Sequence, residues 1–241
     1  MKRTTLKTIL WVFLFSMAMG MLESAVVIYL RQLYYPEGFA FPLKMMDTHI
    51  VVTEILREAA TLIMLIAIGV LAGRTPTEKF AYFISSFAIW DIFYYVFLKL
   101  LLNWPESWMT WDILFLLPTT WVGPVLTPVL LSLLMILLCL GINYFTDKSP
   151  ETFIHWREWV LLVFGSLVTI AAFTWEYVGY LLKVFSFGQI WVPSQKLMDY
   201  AIQFVPAHFP WFIYSLGLAI ISAGIFRFTF RNWNLLKKQM S

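Results

Sequence analysis

The sequence predicts an all-α integral membrane protein with six transmembrane helices, and two observations carry this prediction. Of 241 residues, 61% are hydrophobic, 19% are aromatic and only 13% are charged. Soluble domains carry about 25% charged residues, so this chain has too little polar surface to face water on all sides. Apolar runs also recur along the whole chain, and about 20 residues cross a bilayer as a helix. We therefore expect one membrane domain over residues 1–241, surrounded by the lipid bilayer.

Six apolar segments are long enough to span a membrane. Their approximate bounds are 9–30, 50–72, 80–102, 119–142, 157–182 and 209–230. Three prolines lie at the start of the fourth segment, Pro118, Pro124 and Pro128. We therefore expect this helix to be bent or broken near its beginning. The first segment resembles a signal peptide, but its apolar run continues past Glu23 to Leu30, which favours an uncleaved span.

Two connections are long enough to carry structure of their own. In the first, Trp104, Trp108 and Trp111 recur at helical spacing. A stripe of tryptophan is typical of a short helix that lies at the lipid–water boundary. In the second connection, apolar residues follow the same spacing before a proline. The sequence therefore predicts interfacial helices over about 104–117 and 194–205.

The positions of the basic residues predict the orientation of the chain. Cytoplasmic loops of membrane proteins are enriched in lysine and arginine. If the N-terminus is cytoplasmic, eleven of the 17 basic residues fall on that side and four on the opposite side. The eleven are Lys2, Arg3, Lys7, Arg74, Lys79, Lys148, Arg157, Arg227, Arg231, Lys237 and Lys238. We therefore expect a multi-pass protein of the cell membrane with both termini in the cytoplasm.

The second span contains three ionisable residues at membrane depth: Glu54, Arg57 and Glu58. Placing such a group in a bilayer costs at least about 2.5 kcal/mol, so intramembrane charges usually mark a functional site. Residues three and four apart share one face of a helix, so these side chains form one polar stripe.

A second polar stripe lies on the third span, where Asp91, Tyr95 and Lys99 are four residues apart and Tyr94 lies beside them. The predicted topology places Glu23 of the first span in the same outer half of the membrane. Because lipid does not accept these groups, we expect them to face one another around an acidic cavity open to the non-cytoplasmic side. The candidate binding residues are Glu23, Glu54, Arg57, Glu58, Asp91, Tyr94, Tyr95 and Lys99.

Acidic residues outnumber basic ones at this depth. The acids are Glu23, Glu54, Glu58, Asp91 and Glu176, and the bases are Arg57 and Lys99. In a region of low dielectric constant such an excess cannot stay fully ionised, so the carboxylates hold protons or a cation neutralises them. The sequence therefore predicts binding or transport of a proton, a metal ion or a small cationic solute.

A metal cation is one of these alternatives, and His49 just before the second span could complete a site with Glu23, Glu54 and Glu58. No ligand spacing enforces such a site, and the same holds for His208 before the sixth span. Cys139 is the only cysteine, which excludes an intrachain disulfide and a cysteine-based metal or redox site.

Three other interpretations stay open. The buried acids and bases could pair only to hold helices together. Alternatively, the protein could be an enzyme acting on a lipid or amphiphile at the outer leaflet, with a carboxylate as general base and Arg57 and Lys99 binding an anionic headgroup. It could also be a structural subunit with a membrane protein partner. The sequence contains no G-x-S-x-G, H-E-x-x-H or Walker-type motif, and its basic residues do not indicate a nucleic-acid partner.

Overall fold

The structure, a computed structural model, describes residues 1–149, 151–192 and 194–240, with the backbone alone at residue 240. The described chain is predominantly helical, and six of its helices are long and apolar enough to cross a membrane. These are α1 Arg3–Tyr34, α2 Thr48–Ala72, α3 Pro76–Leu102, α4 Leu126–Lys148, α5 Trp156–Leu181 and α7 Trp211–Met240. A shorter helix, α6, covers Gln195–Ala201. The prediction of a helical protein with six membrane-length helices is confirmed.

Capping residues mark several helix ends. At the start of α2 the side chain of Asp47 accepts a hydrogen bond from the backbone N–H of His49. At the start of α3 the side chain of Thr75 accepts one from the N–H of Glu78. Each cap satisfies a backbone donor that has no partner within the helix. The helix α3 ends at Leu102, and the next residue, Asn103, has a φ of 53°, in the left-handed region that asparagine tolerates.

The bundle has two parts, which meet where α4 contacts α7 and where residues 121–124 contact α5. In the first part, α3 packs against α1, α2 and α4, whereas α1 and α2 contact each other only sparsely. In the second part, α5 packs along α7. Large apolar side chains, among them Leu71, Leu100 and Phe212, stay exposed on the outer helix faces. Such surfaces suit lipid rather than water.

Glycine residues allow α5 and α7 to approach closely. A Cβ atom on Gly165 would lie 2.7 Å from the side chain of Ile221, and one on Gly217 would lie 2.6 Å from the side chain of Thr169. Small residues at helix crossings are typical of membrane proteins, where packing rather than the hydrophobic effect holds helices together.

The predicted interfacial helix over 104–117 is wrong. Strand β1, Trp111–Phe115, instead pairs antiparallel with strand β2, Trp121–Pro124. Aromatic and β-branched residues favour strands, and proline at 118 lies in the connection between the two strands. The fourth span accordingly begins at Leu126 rather than at 119, because the residues before it belong to the hairpin.

The helix α6 lies inside the predicted 194–205 segment but is shorter than expected. The side chain of Ser194 accepts a hydrogen bond from the N–H of Leu197 and so caps its start. Leu197 is buried in a cluster that also contains Phe204 and Tyr177 of α5. The placement of α6 at a lipid boundary stays a prediction.

One end of the bundle gathers several basic segments. The backbone N–H of Lys2 and the hydroxyl of Thr5 donate hydrogen bonds to Asp147 at the end of α4, at 2.6 and 2.7 Å. Arg231 of α7 forms an ion pair with Glu158 at the start of α5, at 2.8 Å. The hairpin and the connection between α1 and α2 therefore lie toward the opposite end.

Candidate functional site

A cavity of about 290 Å³ lies between α1, α2, α3 and β1, in the half of the bundle that contains the hairpin. The connection between α1 and α2 supplies Phe39 and Met46 to its wall, and Met198 and Ile202 at α6 also line it. Seven of the eight residues predicted for the binding site line this cavity: Glu23, Glu54, Arg57, Glu58, Asp91, Tyr94 and Tyr95. The structure thus brings together polar residues from three separate helices.

Lys99 does not line the cavity. Its ammonium group donates hydrogen bonds to the carbonyl oxygens of Asn103 and Pro105, at 3.3 and 3.0 Å. Lys99 stands one turn before the end of α3, where the last carbonyl groups of a helix lack partners and attract a cation. Lys99 and Asp91, which lie eight residues apart on one stripe of α3, therefore bind different partners and form no ion pair with each other.

Arg57 links two of the predicted carboxylates. Its Nε donates to Glu54 on the same helix at 2.8 Å, and its Nη1 donates to Glu23 on α1. The ion pair with Glu23 crosses from α2 to α1. One guanidinium group thus neutralises part of the charge of two carboxylates and joins α1 to α2.

Glu58 and Asp91 form no ion pair with any basic residue that the structure describes. Glu58 is 8% exposed and accepts a hydrogen bond from the backbone N–H of Leu116 at 3.0 Å. Asp91 accepts one from the hydroxyl of Ser132 on α4 at 2.8 Å. A single neutral donor does not offset the loss of water around a carboxylate. A proton on the carboxyl group or a nearby cation would stabilise each of these groups.

The hairpin adds a carboxylate that the sequence did not assign to the site, Asp112. It is 2% exposed and forms an ion pair with Arg31 at 3.3 Å. The hydroxyl groups of Tyr94 and Tyr95 donate hydrogen bonds to it at 3.4 and 3.3 Å. Burial raises the pKa of Asp112 to about 6, although Arg31 and the hydrogen bonds act in the opposite direction.

Arg31 also contacts two aromatic rings at the edge of the cavity. Its guanidinium carbon lies 3.7 Å from the ring centroid of Trp104 and 4.7 Å from that of Phe39. Such contacts attract a cation to the face of the ring. The sequence gives no sign of this burial: Asp112 is the one charged residue in 111–115, yet it is the buried residue of β1.

The cavity is acidic, and its wall is otherwise largely apolar and aromatic. Its five carboxyl groups belong to Glu23, Glu54, Glu58, Asp91 and Asp112. Its three basic groups belong to Arg31, Lys44 and Arg57. Glu176 lies elsewhere: it accepts hydrogen bonds from the backbone N–H groups of Ala207 and His208, at 2.7 and 2.9 Å, and holds the segment before α7.

The structure does not support the predicted metal site. In the described part of the chain, no three His, Cys, Asp or Glu side chains are grouped so that they could hold a metal ion. His49 is exposed at the start of α2, outside the cavity wall. Arg57 occupies the carboxylates of Glu23 and Glu54, so these groups are not free to act as ligands together with Glu58.

No family model matches the chain, and searches of curated proteins and of solved structures found no significant match.

Proposed function

We propose that the protein binds or transports a small organic cation, which enters the acidic cavity from the non-cytoplasmic side. The observation that carries this proposal is that Glu58 and Asp91 line the same cavity and that neither forms an ion pair with a basic residue in the described part of the chain. A bound cation would supply the missing countercharge. The requirement is electrostatic, because charged groups at membrane depth are stable only when they are paired or neutralised.

The size and the wall of the cavity favour an organic cation over a bare ion. A volume of about 290 Å³ is several times the roughly 30 Å³ that one water molecule occupies in the liquid. Tyr34, Tyr35 and Phe39 line it together with Tyr94 and Tyr95. Aromatic rings around a cavity recognise alkylated ammonium groups, whereas Ca²⁺ and Mg²⁺ require several oxygen ligands.

The residues that line the cavity have different roles in this proposal. Glu58 and Asp91 interact directly with the cation. Glu23 and Glu54 are held by Arg57 and add negative potential. Tyr94 and Tyr95 bind Asp112 and thereby connect α3 to the hairpin.

The alternative of an enzyme that binds an anionic headgroup has less support. That interpretation assigned the headgroup to Arg57 and Lys99. Arg57 is engaged with two carboxylates, and Lys99 binds backbone carbonyls outside the cavity.

We place both termini in the cytoplasm and the cavity at the outer face of the cell membrane. The contacts of Lys2 with Asp147 and of Arg231 with Glu158 support this orientation, since they collect basic segments at one end of the bundle. The cavity lies in the other half, where the two carboxylates can be reached from outside.

Calorimetry with benzyltrimethylammonium tests the proposal. Removing the negative charge with Glu58→Gln or Asp91→Asn weakens binding about 10-fold or more, because opposite charges about 4 Å apart near a protein surface attract each other by about 4 kcal/mol and a 10-fold loss needs only about 1.4 kcal/mol. Glu106→Gln is the matched control, since Glu106 is an exposed acid outside the cavity wall, and it leaves the affinity unchanged.

Neopentylbenzene has the same shape with carbon in place of the charged nitrogen. The proposal requires the wild-type protein to prefer the cation over this neutral analogue. Equal affinities, or full affinity in both cavity variants, would show that the carboxylates do not select a cation.

A further inference from the structure

Two carboxyl groups that line the acidic cavity, Glu58 and Asp91, each keep one oxygen atom without a partner. Leu116 donates its backbone N–H to Oε2 of Glu58, and Ser132 donates its hydroxyl to Oδ2 of Asp91. No described residue donates a hydrogen bond to Oε1 of Glu58 or to Oδ1 of Asp91. Neither atom belongs to the described side-chain oxygens that are shut away from water without a partner. Each carboxyl group therefore keeps one oxygen that a proton, a water molecule or a ligand can reach.

The cavity that these two residues line also reaches the surface of the molecule. Lys44 and Met45, in the connection between α1 and α2, belong to its lining and are exposed. Asp91, in α3, is itself only partly buried. The same space thus connects the two carboxyl groups with solvent.

Titratable and charged groups surround Glu58 and Asp91 on every side of the cavity. Behind Asp91, Tyr214 of α7 is a further titratable group, and its hydroxyl donates a hydrogen bond to the carbonyl of Thr127. In the cavity wall these groups are Glu23, Arg31 and Tyr34 of α1, Tyr35 and Lys44 of the following connection, Glu54 and Arg57 of α2, Tyr94 and Tyr95 of α3, and Asp112 of the hairpin.

The three basic groups of this wall have other partners. Arg57 forms ion pairs with Glu23 and Glu54, and Arg31 forms one with Asp112. The ammonium group of Lys44 lies 5.6 Å from the ring centroid of Tyr35. None of the three forms an ion pair with Glu58 or Asp91. In the absence of a bound cation, a proton is therefore what neutralises these two carboxyl groups.

We propose that binding of the organic cation in the acidic cavity releases a proton from Glu58 or Asp91. This inference rests on the proposed function, because it takes the same cation at the same site. An opposite charge within about 4–6 Å favours the ionised form of a carboxyl group, so the cation and the proton stabilise different forms of the same residue. The O–H bond of the acid breaks, its electron pair stays on the carboxylate, and the proton passes to solvent.

The exchange also makes the site sensitive to pH. By linkage, a proton weakens cation binding by the same factor by which the cation weakens proton binding. An acidic medium therefore empties the cavity of the cation, and a more alkaline medium fills it.

Calorimetry of the full-length wild-type protein with benzyltrimethylammonium counts the protons. The titration is run at one pH in phosphate and in MOPS, which take up a proton with different heats and carry no net positive charge. The difference between the two binding enthalpies gives the number of protons released. We expect this number to approach about one per cation as the pH is lowered, and the dissociation constant to rise about 10-fold for each unit fall in pH.

Glu58→Gln and Asp91→Asn test the source of the proton, and each lowers the number released. Glu106→Gln is the matched control, since it removes an exposed acid outside the cavity wall and leaves the number unchanged. A release that is kept in the first two variants but lost in Asp112→Asn would place the exchange on the hairpin and overturn the assignment. If a cavity variant does not fold, the count and the pH dependence in the wild-type protein still decide whether exchange occurs.

The outcomes separate this inference from the function on which it rests. If the cation binds without releasing a proton, and with the same affinity at acidic and basic pH, exchange is overturned and the cation site stands. If the cation does not bind at any pH from mildly acidic to mildly basic, both proposals fail.

Discussion

Asp112 is the carboxyl group that the hairpin, rather than a spanning helix, contributes to the acidic cavity. It meets Arg31 of α1 and two tyrosine residues of α3. A charged aspartate is stable here only through these partners, since the residue is almost fully buried. Its protonation therefore affects how firmly the hairpin is held against α1 and α3.

The raised pKa of Asp112 predicts a pH dependence of stability. The pKa is about 6 in the folded protein and 3.8 ordinarily, so the folded state binds the proton more tightly. Its contribution to stability consequently falls as the pH rises from about 4 to about 6 and is constant above that range. Asp112→Asn removes this contribution.

Unfolding temperatures of wild-type and Asp112→Asn proteins, measured between pH 4 and pH 7, check the prediction. The other carboxylates titrate in both proteins, so the difference between the two curves isolates Asp112. The wild-type protein loses stability relative to the variant up to about pH 6. A difference that does not change with pH contradicts the assigned pKa.

Individual residues differ in how far the sequence predicts their role. Helical spacing predicts one polar face with Glu54 and Glu58, and in the structure both line the same cavity as Glu23. The side chain of Lys99 is long enough to reach either the cavity or the end of its helix, and spacing alone does not decide between them. Asp112 was not assigned to the site because its segment was interpreted as a helix.

At the scale of the element, the hairpin is the main departure from the prediction. Tryptophan residues at helical spacing satisfied the pattern of an interfacial helix, but the same segment contains residues that favour strands. Pairing with residues 121–124 decides between the two, and that pairing involves a separate segment of the chain. Local patterns therefore located the structured connection without giving its type.

The packing of α5 on α7 predicts a strong effect of a single methyl group. Gly217→Ala places a Cβ atom 2.6 Å from the side chain of Thr169, and 2.9 Å from its backbone nitrogen. The helices must move apart, which costs about 1–3 kcal/mol in unfolding free energy, as overpacking usually does.

Gly141→Ala in α4 is the matched control for that substitution. A Cβ atom on Gly141 meets nothing within 4 Å, so alanine keeps or slightly increases stability through its better helix propensity. Denaturant titration in detergent micelles compares the two variants. If Gly217→Ala is as stable as Gly141→Ala, the close helix crossing is not under the inferred constraint.

At the scale of the whole molecule, the six spans follow from the composition and from the length of the apolar segments. Each helix in lipid must satisfy its backbone hydrogen bonds within itself, so a span needs a continuous apolar segment. The arrangement of the helices does not follow from the sequence in the same way. All six are apolar on most faces, so hydrophobic periodicity does not show that α3 packs between α1, α2 and α4. The grouping of charges on α1, α2 and α3 was the only guide.

The proposed orientation predicts which ends of the bundle are reached from outside the cell. Ser107 before the hairpin and Glu151 after α4 are both exposed. With Ser107→Cys, a membrane-impermeant maleimide labels intact cells; with Glu151→Cys, it labels only after permeabilisation. The native Cys139 is buried, so the wild-type protein serves as the unlabelled control. The reverse pattern would invert the topology and place the acidic cavity on the cytoplasmic side.

Arg57 joins α2 to α1 through an ion pair with Glu23, and the two helices otherwise have few contacts. Mobile ions weaken the attraction between solvent-exposed charges much more than the attraction between buried or partly buried charges. Raising the ionic strength should therefore weaken the attraction between the charges of Lys2 and Asp147 more than it weakens the ion pairs of the mostly buried Arg57. The interface between α1 and α2 should therefore tolerate concentrated salt better than it tolerates the loss of Arg57.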